Sequence, residues 1–251
     1  MSTPKTALIT GAGSGIGKAC ATALLADGWN VVFVGRREAP LQEAIAAAGA
    51  NASRGVAMSC DVGDENAVAA TFDAVKQRFG RLDLLFNNAG MSLPVKLPDE
   101  LDPATWRQAV DVNLNGAFFC LSQAFKLMRA QSPKGGRIIN NGSISAYAPR
   151  PGSIAYTATK HAITGLTRTG ALDGRPFDIA VGQIDIGNVA SDMTQKMVGG
   201  VPQADGSIKP EDRMDMSAVV ETFMTMARLP LTANILFTTV MATKMPFVGR
   251  G

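Results

Sequence analysis

The sequence is poor in the residues that build metal sites and disulfide frameworks. Of 251 residues, three are cysteine and one is histidine. Cys20, Cys60 and Cys120 are far apart, lie in apolar stretches and form no CxxC pair, so they are expected to be small, buried, reduced side chains. His161 has no second histidine with which to share a zinc ion, and no metal is expected. Charge of one sign is also missing. The 24 Lys and Arg against 21 Asp and Glu leave a formal net charge of +3, spread too evenly for nucleic acid. No apolar run approaches the roughly 18 residues of a membrane span. The opening stretch, MSTPKTALIT, lacks the long apolar core of a signal peptide. These absences predict a cytoplasmic, reducing setting and partners that are neither nucleic acid nor membrane.

What is abundant is apolar surface, at 46% of residues, and glycine, with 26 residues. Both suit a globular fold with many tight strand-to-helix turns. Residues 7–10, 31–34, 55–60, 82–86, 137–139, 179–184 and 235–240 read as strands. Residues 15–27, 39–48, 65–79, 105–128, 156–172 and 219–229 carry helical spacing. The alternation predicts one Rossmann-like α/β domain over residues 1–251, a doubly wound, mainly parallel sheet of about seven strands flanked by helices. Residues 187–216 differ in character. They hold few strand formers and several methionines (Met193, Met197, Met214, Met216), and read as a substrate loop or lid.

Between the first strand and first helix lies Thr10-Gly11-Ala12-Gly13-Ser14-Gly15-Ile16-Gly17. Glycines there let the backbone approach a pyrophosphate, and the helix start aims unpaired N–H groups and its positive end at the phosphates. Gly11, Ser14, Gly15, Ile16 and Gly17 are therefore candidate dinucleotide contacts. At the end of the second strand, an acidic residue commonly holds the ribose 2′-hydroxyl of NAD. Here the place is taken by Gly35, followed by Arg36 and Arg37. Guanidinium groups pair with a 2′-phosphate in forked, charge-assisted geometry, so the expected cofactor is NADP, with NAD as the alternative.

At this point the chain resembles the short-chain dehydrogenase/reductase family over nearly its whole length. The glycine spacing matches the family's single-domain branch. Asn87-Asn88-Ala89-Gly90 matches its cofactor-flanking motif, and Cys60-Asp61-Val62 its adenine-contacting position. Tyr156-Thr157-Ala158-Thr159-Lys160 matches the YxxxK signature. Ser143 precedes Tyr156 by thirteen positions, as the family's catalytic serine does. Asn113, in Val112-Asn113-Leu114-Asn115-Gly116, matches the catalytic asparagine. The resemblance implies Asn113, Ser143, Tyr156 and Lys160 as the catalytic set. It adds Asp61, Val62, Asn88, Ala89, Gly90, Tyr156 and Lys160 to the cofactor contacts.

The chemistry accounts for these residue types. A free phenol ionises only near pH 10, so it is a poor base at neutral pH. Lys160 lies one helical turn beyond Tyr156 on the same face, and a nearby cation favours the phenolate. Tyr156 can then exchange a proton with the substrate oxygen while Ser143 orients that oxygen. The resemblance gives Lys160 a grip on the nicotinamide ribose and Asn113 a water relay. His161 points about 100° around the helix from Lys160 and reads as a packing or surface residue.

Two stretches depart from the family pattern. After the sixth strand the usual Pro-Gly pair is Ile186-Gly187, with Gly187, Val189 and Ser191 as candidate nicotinamide contacts. The usual C-terminal Asp-Gly-Gly signature is absent. The resemblance implies a homo-oligomer, a dimer or tetramer, acting on a small carbonyl or alcohol substrate. The leading expectation is NADP(H)-dependent hydride transfer. The alternatives are an NAD(H)-dependent alcohol dehydrogenase of the same family and a non-catalytic dinucleotide-binding regulator.

Overall fold

Seven short apolar segments pair side by side into one parallel sheet. The computed structural model describes residues 4–248, except the side chains of Asp192, Met193, Lys196 and Met197, so Met193 and Met197 of the expected substrate loop lie outside the described side chains. The strands are β1 (Thr6–Thr10), β2 (Asn30–Gly35), β3 (Gly55–Ser59), β4 (Leu84–Asn87), β5 (Gly136–Asn141) and β6 (Ile179–Ile186). A two-residue hairpin follows, β7 (Val201–Pro202) against β8 (Ile208–Lys209), and β9 (Phe237–Val240) completes the large sheet. The large sheet runs β3-β2-β1-β4-β5-β6-β9, every pair parallel. The winding reverses between β1 and β4, which opens a crevice at the strands' C-terminal ends.

Helices cover both faces. They are α1 (Gly15–Ala26), α2 (Glu38–Ala46), α3 (Glu65–Phe79), α4 (Pro103–Val110), α5 (Gly116–Ala130), α6 (Ile154–Gly174) and α7 (Met216–Arg228). One apolar cluster joins α1, α2 and α7 to alternate strand residues such as Ala7, Ile9, Val31 and Phe33. The other joins α3 and α5 to the residues between them, such as Leu8, Val32 and Val34. Continuous burial along β1 and β6 follows, since both faces of a parallel sheet are covered.

The expected helix over residues 105–128 is instead two helices joined by a π-type turn, Asp111–Asn115. A π turn adds a residue to the helix without ending it, so helical spacing continues on both sides of a one-residue slip. The expected loop over residues 187–216 contains a 3₁₀ segment, Asp192–Gly199, and the β7–β8 hairpin. Val189 and Met214 bridge its two ends.

Candidate active site

The glycine turn opens the site. Gly11 and Gly15 have positive φ, 67° and 51°, which glycine adopts without a Cβ clash. Gly17 is needed for a different reason: a Cβ there would stand 2.3 Å from the Gly11 carbonyl oxygen. Helix α1 can therefore press directly on the turn. Ser14, at its N-cap, makes no side-chain cap bond, so the first N–H groups of α1 face the cleft without a protein acceptor from that side chain. A phosphate fits this cradle on charge and donor geometry. The Ala12 N–H donates to the Val34 carbonyl at 3.1 Å, which ties the turn to the end of β2.

The far wall of the cradle is held by threonine and asparagine. The Thr10 hydroxyl accepts the N–H groups of Asn88 and Ala89, both at 2.9 Å. The Asn88 side chain donates to the Thr10 carbonyl at 2.8 Å and accepts from the Asn141 amide at 2.8 Å. These bonds lash the ends of β1, β4 and β5 together across the crevice.

Asn113 sits in the π-type turn, 3% exposed. Its amide pairs with the backbone of Met91, accepting from the N–H at 2.8 Å and donating to the carbonyl at 3.3 Å. It fixes the strand-to-loop exit beyond Gly90 from behind. Lys160 is buried, donates to the Asn141 carbonyl at 2.7 Å, and holds its ammonium 5.6 Å from the Tyr156 ring centre. Tyr156 itself stands in the first turn of α6 and is half-buried. Ser143 is buried at the end of β5, where its hydroxyl accepts the Ser145 N–H at 3.1 Å and starts a 3₁₀ turn, Ile144–Ala146.

These groups line one cleft of about 850 Å³. It runs from Gly11, Ser14, Gly15, Ile16 and Gly17, past Asn88, Ala89 and Gly90, to Ser143, Tyr156 and Lys160. Gly187, Val189 and Ser191 close its side. Of the remaining candidates, Asn113 stands behind the cleft rather than in its lining. Arg36 and Arg37 are exposed at the end of β2, and Asp61 is exposed just after β3, where it accepts the Gly63 N–H at 3.0 Å. Val62 is buried against α5, so tightly that a Cβ on Gly116 would meet it at 2.7 Å. Its side chain belongs to the core. His161 is exposed on α6, with Nδ1 2.9 Å from the Thr157 carbonyl.

Three polar features escaped the sequence reading. Asp185 is fully buried beneath Ser143. Burial pushes its carboxyl above the ordinary aspartate range, against opposing hydrogen bonds from Gln183, Tyr147 and the Ser143 backbone and the charge of Lys160. Arg150 reaches from the loop before α6 to Glu211 in an ion pair, and to the Asn188 side-chain oxygen at 2.9 Å. Glu211 also accepts from Asn188 at 2.9 Å and Gln203 at 3.0 Å. The local signal was a charge between two isoleucines in a strand, Ile184-Asp185-Ile186. The three cysteines are free and buried, and burial raises all three thiols.

Residues 5–200 match the family model of short chain dehydrogenases. The chain belongs to the short-chain dehydrogenase/reductase family. It is 41% identical over 169 residues to a 3beta-hydroxysteroid dehydrogenase from Mediterraneibacter gnavus, covering 67% of this chain and 60% of that relative's length. It is 35% identical over 201 residues to a 3-oxoacyl-[acyl-carrier-protein] reductase of Synechocystis, covering 78% of each. Among solved structures, ElxO with NADP bound superposes with a TM-score of 0.83 at 28% identity, covering 94% of this chain and 97% of that one. The Rossmann-like sheet and the oxidoreductase class follow from this membership, as does a nicotinamide dinucleotide as the cofactor. Among the described residues, no helix is long and apolar enough to cross a membrane.

Proposed function

We propose that this short-chain dehydrogenase/reductase moves a hydride between NADP(H) and a carbonyl or alcohol substrate, with Tyr156 as the acid/base. The observation that carries the reading is the single cleft in which Ser143, Tyr156 and Lys160 open onto the glycine cradle. The bound nicotinamide supplies or accepts the hydride. Ser143 hydrogen-bonds the substrate oxygen and holds it toward Tyr156, which gives or takes the proton at its phenolic oxygen. Lys160 counters the negative charge that develops on Tyr156 during that exchange, and its grip on the Asn141 carbonyl keeps the ammonium in place. Asn113 holds Met91 at the cleft wall and supports a water relay to solvent. Gly187, Val189 and Ser191 shape the nicotinamide side.

NADP is favoured over NAD by the end of β2. Gly35 stands where an acidic residue would hold the NAD ribose, and it offers no carboxylate. Arg36 and Arg37 stand exposed beside that point for a 2′-phosphate, with Asp61 toward the adenine. The substrate end of the cleft is walled by Leu93, Val95, Leu101, Ile144, Ile154 and Val201, which suits a substrate with a hydrocarbon body. Residues 187–216 form its lid. We further propose a cytoplasmic homo-oligomer, dimer or tetramer, of one-domain chains.

Three measurements test these readings. Nicotinamide absorbance with a panel of ketones and secondary alcohols is expected to show turnover. Tyr156→Phe is expected to lose at least about a hundredfold in kcat while still binding cofactor. Unchanged turnover overturns the acid/base role, and absence of any turnover in the unaltered protein favours a non-catalytic dinucleotide-binding role. Titration is expected to show tighter binding of NADPH than NADH, reversed in Arg36→Asp; tighter NADH binding by the unaltered protein overturns the NADP assignment.

A further inference from the structure

The oxygen atoms of Asp185 grip both ends of the segment that carries Ser143. Oδ1 accepts the Ser143 backbone N–H at 2.9 Å, and Oδ2 accepts the Tyr147 hydroxyl at 3.0 Å. Between these points runs the 3₁₀ turn Ile144–Ala146, closed by the Tyr147 N–H to the Ile144 carbonyl at 2.9 Å. The carboxylate is fully buried, which is costly unless its lone pairs are filled. Gln183 fills another with its amide at 2.7 Å, and is itself anchored by Thr167 at 2.8 Å. Thr167 in turn receives Asn140 at 2.9 Å. The carboxylate is therefore the end of a buried polar chain that begins in the middle of the sheet.

The backbone above has been cleared for it. A Cβ at Gly142 would stand 1.9 Å from Asp185 Oδ1, so only glycine lets the carboxylate reach the next N–H. Tyr147 is one of two tyrosines in the chain, the other being Tyr156. Its ring is half exposed and meets Phe247 edge-on, so the hydroxyl bond to Asp185 is what anchors its inner end. Nothing in the proton or hydride step needs a carboxylate at this place.

We infer that Asp185 and Tyr147 form a clamp that positions Ser143, setting the direction of its hydroxyl by holding the turn at both ends. The inference rests on the proposed role of Ser143 at the substrate oxygen. Asp185 touches neither substrate nor cofactor and acts through the serine. Small displacements of a positioning group cost rate steeply, whereas binding of the dinucleotide at the glycine cradle is untouched.

The test is a double-mutant cycle on purified full-length protein with a substrate it turns over. Tyr147→Phe, which removes one grip at a half-exposed ring, is expected to lower kcat roughly tenfold, with cofactor affinity and KM little changed. Asp185→Asn is expected to lose more. Ser143→Ala is expected to lose most of the turnover. In the Ser143→Ala background, neither Tyr147→Phe nor Asp185→Asn is expected to cost anything further, because the hydroxyl they position is gone. Losses that multiply in the double variants, or full turnover in Tyr147→Phe, overturn the clamp while leaving Ser143's role intact. Full turnover in Ser143→Ala overturns the proposed role of the serine, and the clamp falls with it. The Tyr147→Phe arm decides the matter if Asp185→Asn does not fold.

Discussion

At Gly142 and Gly17 there is room for a hydrogen and nothing larger. Gly17→Ala places a methyl 2.3 Å from a backbone carbonyl, so α1 must shift away from the glycine turn. Cofactor affinity is expected to fall by at least about tenfold in a variant that still folds, read by quenching or enhancement of nicotinamide fluorescence. Gly142→Ala meets the Asp185 carboxylate instead, and is expected to reduce kcat with little effect on cofactor affinity. The two alanines therefore separate the dinucleotide end of the cleft from the reacting end. Single positions differed in how readable they were. Tyr156, Lys160 and Ser143 were picked out by the resemblance to the family's motifs, since a Tyr and a Lys one helical turn apart are by themselves a common structural pair. Asp185 was not, because a buried carboxylate is explained only by its partners, which come from residues 143, 147 and 183.

Helix α7 ends on a buried guanidinium. Arg137, 2% exposed at the start of β5, donates to the carbonyls of Leu229, Pro230 and Ala233 and to the Asn234 side chain. Arg137→Met strands those carbonyls and is expected to cost about 2–4 kcal/mol of stability, measured by denaturant unfolding, with kcat unchanged. The ion pair of Arg150 with Glu211 ties the loop before α6 to the substrate segment. Burial opposes ionisation of Glu211, but hydrogen bonds from Gln203, Arg150 and Asn188 prevail and hold its carboxyl below the ordinary glutamate value of 4.5. Its contribution is thus fully present above that value and is lost as pH falls through the depressed one. Glu211→Gln is expected to destabilise the protein by about 3 kcal/mol at pH 7, a deficit that shrinks as thermal unfolding is repeated at progressively lower pH below 4.5. A constant deficit at every pH would show that the charge on Glu211 is not what holds the segment. Strands and most helices were legible because burial on both sheet faces writes itself as apolar runs. The break between α4 and α5 and the hairpin within residues 187–216 were not. A π turn leaves helical spacing on both sides of a one-residue slip, and a two-residue strand is too short to show a period.

Across the whole molecule, one outer face stands apart from the cleft. Helices α5 and α6 enclose a shallow groove of about 910 Å³ lined by Phe118, Leu121, Phe125, Leu166 and Phe177. Phe118 and Leu172 are about half exposed. This is the face expected to meet a second copy of the chain. Phe118→Glu is expected to lower the mass in solution by a factor of at least two, measured by light scattering; an unchanged mass places the contact elsewhere. The same helix α5 follows directly from the π-type turn that holds Asn113. One inserted residue shifts the phase of everything after it by about 100°. The turn therefore decides which residues of α5 press on Val62 and which look outward at Phe118. The packing on Val62 and the outward apolar groove are geared to a single irregularity in the chain, and shortening Asp111–Asn115 by one residue would turn both out of alignment at once.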